Sequence, residues 1–335
     1  MHAVTPFGDR LAAAVAARES QIVLGLDPDP ARLWPTAERR VPEAQVRLAD
    51  ALRAAADAGA AIRVARAQTE PGPDAGAASA ATSDPAVGAR VLAHCLDLVD
   101  AAGPSCVAVK PQLACFERLG AAGWLAYDIV AAHARDAGLL LLADGKRGDV
   151  PVSATAYGRA FFADRGAPVD ALTANPLLGR DALAPLVDAA TASGSGLFVL
   201  VRTSNPGAAD LMDLRLESGE PLWERLAAIV RELGDSARGL ESGLSAIGAV
   251  TGATVPQHLA RMRELMPATP FLLPGIGAQG GRVEDLAPAF APGRAAGLVT
   301  ASRSIANAAD THGGRPADAA RAETERLREA AWGLA

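Results

Sequence analysis

Aromatic residues, cysteines and lysines are all scarce in this chain. Aromatics make up 4% of the 335 residues, whereas alanine fills about a quarter of the positions. Helices built from such sequence are expected to be thin and closely packed. Hydrophobic residues at 50% exclude wholesale disorder and provide for a sizeable core. The three cysteines, Cys95, Cys106 and Cys115, form no C-x-x-C pair, which leaves buried or free thiols in a reducing compartment. None of His2, His94, His133, His258 and His312 stands in an H-x-x-x-H or H-E-x-x-H pair, so a histidine zinc site has no support. No apolar run approaches the roughly 18 residues that span a bilayer, and the first residues carry charges where a secretory signal needs its apolar stretch. A net charge of −6 is the wrong sign for a general nucleic-acid binder. These exclusions predict a soluble, cytoplasmic protein with neither a membrane nor a nucleic-acid partner.

Lysine is the most informative scarcity. Of the 32 basic Lys and Arg residues only Lys110 and Lys146 are lysine. Arginine therefore serves almost everywhere that a positive charge is needed. A compact ammonium can shift its pKa, donate a proton or form a Schiff base, and a guanidinium does none of these readily. Compositional drift could also leave two lysines, and their positions decide between the readings.

Short runs rich in Val, Ile and Leu recur along the chain, separated by longer segments with helical spacing. Strands are expected at Ile22–Asp27, Cys106–Lys110, Leu139–Asp144, Val169–Thr173, Leu197–Arg202, Ser245–Val250, Phe271–Pro274 and Ala296–Thr300. Helical patterns include Glu43–Ala58, Ala86–Ala101, Ala182–Ala192, a segment carrying Leu259, Met262 and Met266, and a charged closing helix over Ala317–Trp332. Continuous apolar strands alternating with helices argue for a parallel sheet covered on both faces. Eight such units predict an α/β fold of the (β/α)8 barrel type, forming a single domain over residues 1–335. The rival, a doubly wound open sheet, lacks a G-x-G-x-x-G after its first strand. Extra length falls between the first two strands, where residues 68–84 are rich in Pro, Gly, Ala and Ser and are expected to form a mobile loop.

Barrels of this class place their chemistry at the C-terminal strand ends. The first strand ends in LGLDPDP, the second in VAVKPQ and the third in LLLLADGKRGDV. Asp27, Lys110, Asp144, Lys146 and Asp149 thus fall at or just beyond one rim, and both lysines face the same cavity. A buried salt-bridge network could hold such a rim together, but buried ion pairs are weak stability devices, so the cluster points to function. Across the barrel, LLPGIGAQGG with Gln279 follows the seventh strand and LVTASRSI with Arg303 follows the eighth. Loops at these two positions hold phosphate in many barrels, through backbone N–H groups, a helix N-terminus and an arginine. The ligand expected is an anionic phosphate ester whose reacting end lies near the lysines. In VRTSNPG the Asn-Pro-Gly reads as a turn, while Ser204 can hydrogen-bond a ligand at the mouth.

The run DGKRGDV (144–150), with Asp-x-Lys-x-x-Asp spacing after an apolar strand, resembles the signature of the orotidine 5′-phosphate decarboxylases. LGLDPDP, VAVKPQ, NPLLG, VRTSNPG, PGIGAQGG and ASRSI agree with that family in order, over nearly the whole chain, and are similar to its longer bacterial subgroup. The resemblance implies decarboxylation of orotidine 5′-phosphate to uridine 5′-phosphate, the last step of UMP synthesis, with no metal and no organic cofactor. It implies a homodimer with shared active sites and a Lys-Asp-Lys-Asp array formed by Lys110, Asp144, Lys146 and the partner's Asp149. Lys146 is then the proton donor to C6 of the pyrimidine, and Asp144 sits beside the substrate carboxylate. By the same resemblance Asp27 and Lys110 contact the ribose hydroxyls and Ser204 the pyrimidine edge. Gln279 and Arg303 hold the phosphate, and Val150 and Ser153 reach across from the partner with Asp149. Two departures stand out: Gly145 occupies a position where the family pattern has alanine, and Val150-Pro151-Val152-Ser153 replaces the more usual Ile-Gly-Ser-Thr. Pro151 stiffens that segment and removes one backbone donor.

The chemistry fits these residue types. Loss of CO2 leaves an electron pair on a carbon that the ring delocalises poorly, and a fixed ammonium stabilises that charge and then protonates it. Interleaved aspartates keep both lysines charged. Repulsion between Asp144 and the substrate carboxylate is worth about 4 kcal/mol at 4 Å and an effective dielectric near 20. Large enzymatic accelerations need up to roughly 23 kcal/mol, so binding energy from the distant phosphate must contribute. The alternative is a magnesium-dependent sugar-phosphate decarboxylase or aldolase of the same barrel superfamily, which carries an acidic ligand where this chain has Lys110. A Schiff-base aldolase is a further option, countered by the aspartates that keep Lys146 protonated.

Overall fold

The computed structural model describes residues 4–55, 85–163 and 168–335. Eight parallel strands close into a barrel in chain order: β1 (Ile22–Leu26), β2 (Ala108–Pro111), β3 (Leu140–Arg147), β4 (Ala171–Ala174), β5 (Gly196–Arg202), β6 (Ile247–Thr251), β7 (Phe271–Pro274) and β8 (Gly297–Ala301). Closure runs through β1 and β8, with Ile22 opposite Val299 and Leu24 opposite Ala301. Their side chains are almost wholly buried, as expected where helices cover the outer face and packed side chains fill the inner one. The expected (β/α)8 fold is therefore the observed one. Its insertion lies between β1 and β2, where the helices Val41–Ala55 and Pro85–Ala102 flank it. The loop expected over 68–84 lies outside the described residues. Among the described residues no helix is long and apolar enough to cross a membrane.

Most strand boundaries fall within one or two residues of those read from the sequence, and two differences have local causes. The sixth strand starts at Ile247 rather than Ser245, because the Ser245 hydroxyl donates to Gly234 O and accepts the Ile247 N–H. That serine acts as a turn cap instead of entering the ladder. The third strand continues past Asp144 to Arg147 through an irregularity in its pairing with β4.

A helix not expected from the sequence, Phe7–Arg18, covers the N-terminal end of the barrel. Its Phe7 ring packs edge-on to Phe198 at 6.0 Å and lies where a side chain at Gly196 would stand. Asp9 accepts the N–H groups of Leu240, Glu241 and Ser242, and Arg10 pairs with Asp170 just before β4. Arg263 is buried at the same end. Its guanidinium donates to four carbonyls, those of Met266, Thr269, Ala289 and Ala296, at 2.6–3.1 Å, and stacks on Phe271 at 3.8 Å. Burial lowers its pKa to about 9.

Candidate active site

The C-terminal strand ends open into a cavity of about 430 Å³. Its lining includes seven residues expected from the sequence: Asp27, Lys110, Asp144, Lys146, Ser204, Gln279 and Arg303. They come from the ends of six strands or the loops that follow them, so only barrel closure brings them together.

Asp144 is the centre of the charged group. Its Oδ2 accepts from Lys110 Nζ at 2.6 Å, and its Oδ1 from Lys146 Nζ at 2.7 Å. Thr173 of β4 donates to the same Oδ1 at 2.9 Å, and Gln112 reaches Oδ2 at 3.3 Å. One carboxylate thus bridges two ammoniums. Burial opposes ionisation of Asp144, but the charges and hydrogen bonds of Lys110 and Lys146 outweigh it and hold its carboxyl well below the usual carboxylate range. Burial likewise disfavours the Lys110 ammonium, and Asp144 with Asp27 more than offsets this, raising its pKa. Lys110 is sealed in the wall, whereas the Lys146 side chain keeps 44% of its surface exposed. Of the two lysines lining the cavity, Lys146 is the more open to a ligand.

Adjacent basic residues take opposite jobs at this rim. Lys146 turns toward the cavity, while Arg147 pairs with Glu117 and lies over the rings of Tyr157 and Phe161. The turn needs Lys146 in the left-handed region, with φ of +46°. For a residue with a Cβ that conformation costs about 1–2 kcal/mol. Neighbouring Gly145 has a packing reason, since an added Cβ would stand 2.8 Å from the Leu113 side chain.

Asp149, Val150 and Ser153 do not line this cavity. Asp149 accepts the Val150 N–H at 2.7 Å, Val150 is exposed, and Ser153 lies half-buried in the first turn of the helix Pro151–Phe162. Pro151 opens that helix, where an N–H has no intrahelical partner in any case. The lost donor therefore leaves the helix intact.

The opposite wall is built from backbone. Gly275 and Gly277 have φ of +110° and +70°, conformations that β-carbon residues rarely adopt, and they fold the loop after β7 back on itself. A Cβ at Gly275 would also crowd Ser204 at 3.1 Å. Arg303 starts a single helical turn, Arg303–Ala306, directly after β8.

Several residues at the site carried no signal that marked them. Thr173 and Gln112 contact Asp144, and Asn205, read as a turn residue alone, also lines the cavity. Arg202 is buried beneath the loop after β5. It grips both Asp213 carboxylate oxygens at 2.8 and 2.9 Å and donates to Thr203 O, tying together the loop that carries Ser204, Asn205 and Met212. A sequence shows an arginine after an apolar strand there but not its partner eleven residues on.

The sequence profile of the orotidine 5′-phosphate decarboxylase / HUMPS family matches residues 21–314. The chain belongs to that family. Its relatives include the orotidine 5′-phosphate decarboxylase of Deinococcus radiodurans, 43% identical over 240 residues, covering 71% of this chain and 85% of the relative. The decarboxylase of Rhodopirellula baltica is 41% identical over 224 residues, 65% of this chain and 74% of the relative. Among solved structures, the Leishmania donovani OMP decarboxylase superposes with a TM-score of 0.62 at 26% identity, over 97% of this chain and 99% of that one. For an orotidine 5′-phosphate decarboxylase / HUMPS family member, the cavity at the strand ends is where the chemistry belongs.

Proposed function

We propose that this protein converts orotidine 5′-phosphate to uridine 5′-phosphate and CO2 in pyrimidine biosynthesis, without metal or organic cofactor. The observation that carries the reading is the Asp144 carboxylate held between Lys110 and Lys146, with the more exposed ammonium facing the cavity. When the bond from C6 to the carboxylate breaks, CO2 departs and the electron pair stays on C6. The Lys146 ammonium stabilises that pair and then transfers its proton to C6, giving the product. Asp144 lies beside the substrate carboxylate and destabilises it in the ground state, while Lys110 keeps Asp144 ionised. Asp27 and Lys110 hold the ribose, Ser204 the pyrimidine edge, and Gln279 with Arg303 the phosphate.

The protein acts as a homodimer in this reading, with Asp149, Val150 and Ser153 entering the partner's cavity. In support, the segments that follow the neighbouring strands β3 and β4 expose Val150, Val152, Leu177 and Leu178, large apolar side chains of the kind that a second copy covers. A cytoplasmic location goes with this pathway. The magnesium-dependent sugar-phosphate reading is not favoured, because the Lys110 ammonium 2.6 Å from Asp144 already occupies the carboxylate that a cation needs.

Loss of orotidine 5′-phosphate absorbance, followed with EDTA present, tests the proposal. Turnover in EDTA is expected. No turnover, together with magnesium-dependent activity on a sugar phosphate, would assign the chain to another branch of the family.

A further inference from the structure

We propose that Thr173 is a positioning residue for Asp144 and Lys146, holding the bulged end of β3 in the conformation that aims both side chains into the cavity. The catalytic part of this inference rests on the decarboxylase reading above. Between β3 and β4 the register pairs Leu142 with Ala171 and Ala143 with Leu172, then jumps to Arg147 with Ala174. Asp144, Gly145 and Lys146 therefore stand opposite Thr173 alone. Bulges of this kind leave backbone groups outside the ladder and re-aim side chains beside active sites.

Here the Thr173 side chain takes up the slack. Its Oγ1 accepts the Lys146 backbone N–H at 2.8 Å and donates its own proton to Asp144 Oδ1 at 2.9 Å. A hydroxyl has one proton to give and lone pairs to receive, so both bonds form at once and in one sense only. The first bond pins the left-handed backbone of Lys146, and the second fixes the carboxylate oxygen that Lys146 Nζ meets at 2.7 Å. Thr173 is 2% exposed and its branched Cβ restricts the rotamer, so the hydroxyl is held in place. Apolar side chains of the same shape fill this space but satisfy neither neighbour. The bulge then has other conformations open to it, and the ammonium loses its alignment with the reacting carbon.

The test compares wild type with Thr173→Val, which keeps the shape, and Thr173→Ser, which keeps the hydroxyl. In Thr173→Val kcat for orotidine 5′-phosphate is expected to fall about ten- to a hundredfold, with KM changed by less than about threefold. Thr173→Ser is expected to recover most of that rate. Amide hydrogen exchange over residues 144–149 should quicken in Thr173→Val and return toward wild type in Thr173→Ser. Unchanged exchange in Thr173→Val overturns the inference whatever the activity shows. A kcat loss that serine fails to recover, or one matched by a general loss of exchange protection, overturns it too. Absence of turnover by wild type overturns only the decarboxylase reading, and the exchange comparison still decides whether Thr173 holds the bulge.

Discussion

Lys110 at the C-terminal end of the barrel and Arg263 at the N-terminal end are both buried cations, but they are buried in different company. Lys110 meets a carboxylate at 2.6 Å, in a cluster with a second ammonium and an open cavity above it. Arg263 meets only neutral carbonyls and an aromatic face, with every contact inside the packed protein. The planar fork of a guanidinium suits it to gathering several carbonyls. A single ammonium on a flexible stem suits a site where a proton must move. The near-complete use of arginine in this chain follows the same division, and it recurs between neighbours at Lys146 and Arg147. Charge that braces the fold is arginine, and charge that faces the cavity from β2 and β3 is lysine.

This contrast can be broken or sharpened by substitution at each end. The largest effect is expected from Asp144→Asn, which leaves two ammoniums without their shared carboxylate. Its kcat should fall about a thousandfold or more in a steady-state assay, with the circular dichroism spectrum retained. Arg263→Met reverses that pattern, because it strands up to four carbonyls. Denaturant unfolding should show a loss of about 3 kcal/mol or more, with KM unchanged wherever the variant stays folded. Activity lost without stability in Arg263→Met would erase the distinction between the two ends.

Arg303→Ala sharpens the functional side. The residue touches no reacting atom in the proposed mechanism, yet kcat/KM should drop about ten- to a hundredfold, as expected for a lost charged contact to phosphate. An unchanged kcat/KM would remove the phosphate from the argument. A smaller effect concerns pH. His94 accepts the Trp34 backbone N–H on Nδ1, which requires a neutral ring, and burial lowers its pKa to about 4. The unfolded chain binds the proton near pH 6.5 and the folded one does not. Stability is therefore full above the unfolded value and declines as pH falls from there toward about 4. Between pH 7 and pH 5 the loss is about 2 kcal/mol. His94→Gln, which keeps an acceptor for Trp34, should flatten that decline in a series of melts.

Much of the barrel was legible because its strands are continuous apolar runs, and periodicity reads such runs directly. The cavity-facing residues of six strands were legible for a related reason. In a barrel, a charged residue at the end of an apolar strand has only the rim to occupy, as Asp27, Lys110 and Asp144 show. The bulge in β3 was not legible, since nothing in Asp144-Gly145-Lys146 shows that β4 offers one residue to face three. Thr173 looked like one more β-branched strand residue, and its hydroxyl gains meaning only from the partners that folding supplies. Arg263 and the Phe7–Arg18 helix were missed on similar grounds, because their contacts join segments distant in sequence and no local pattern encodes them.

The contrast between lysine and arginine is tested most directly by placing a guanidinium where the ammonium is. Turnover of orotidine 5′-phosphate in EDTA should be compared for wild type, Lys146→Arg and Lys146→Ala, each checked for an unchanged melting temperature. If Lys146 donates the proton, the arginine variant is expected to be as impaired as the alanine variant, by about a thousandfold or more. A Lys146→Arg enzyme that keeps most of the wild-type rate would contradict the account, because a positive charge at that position would then suffice without a transferable proton.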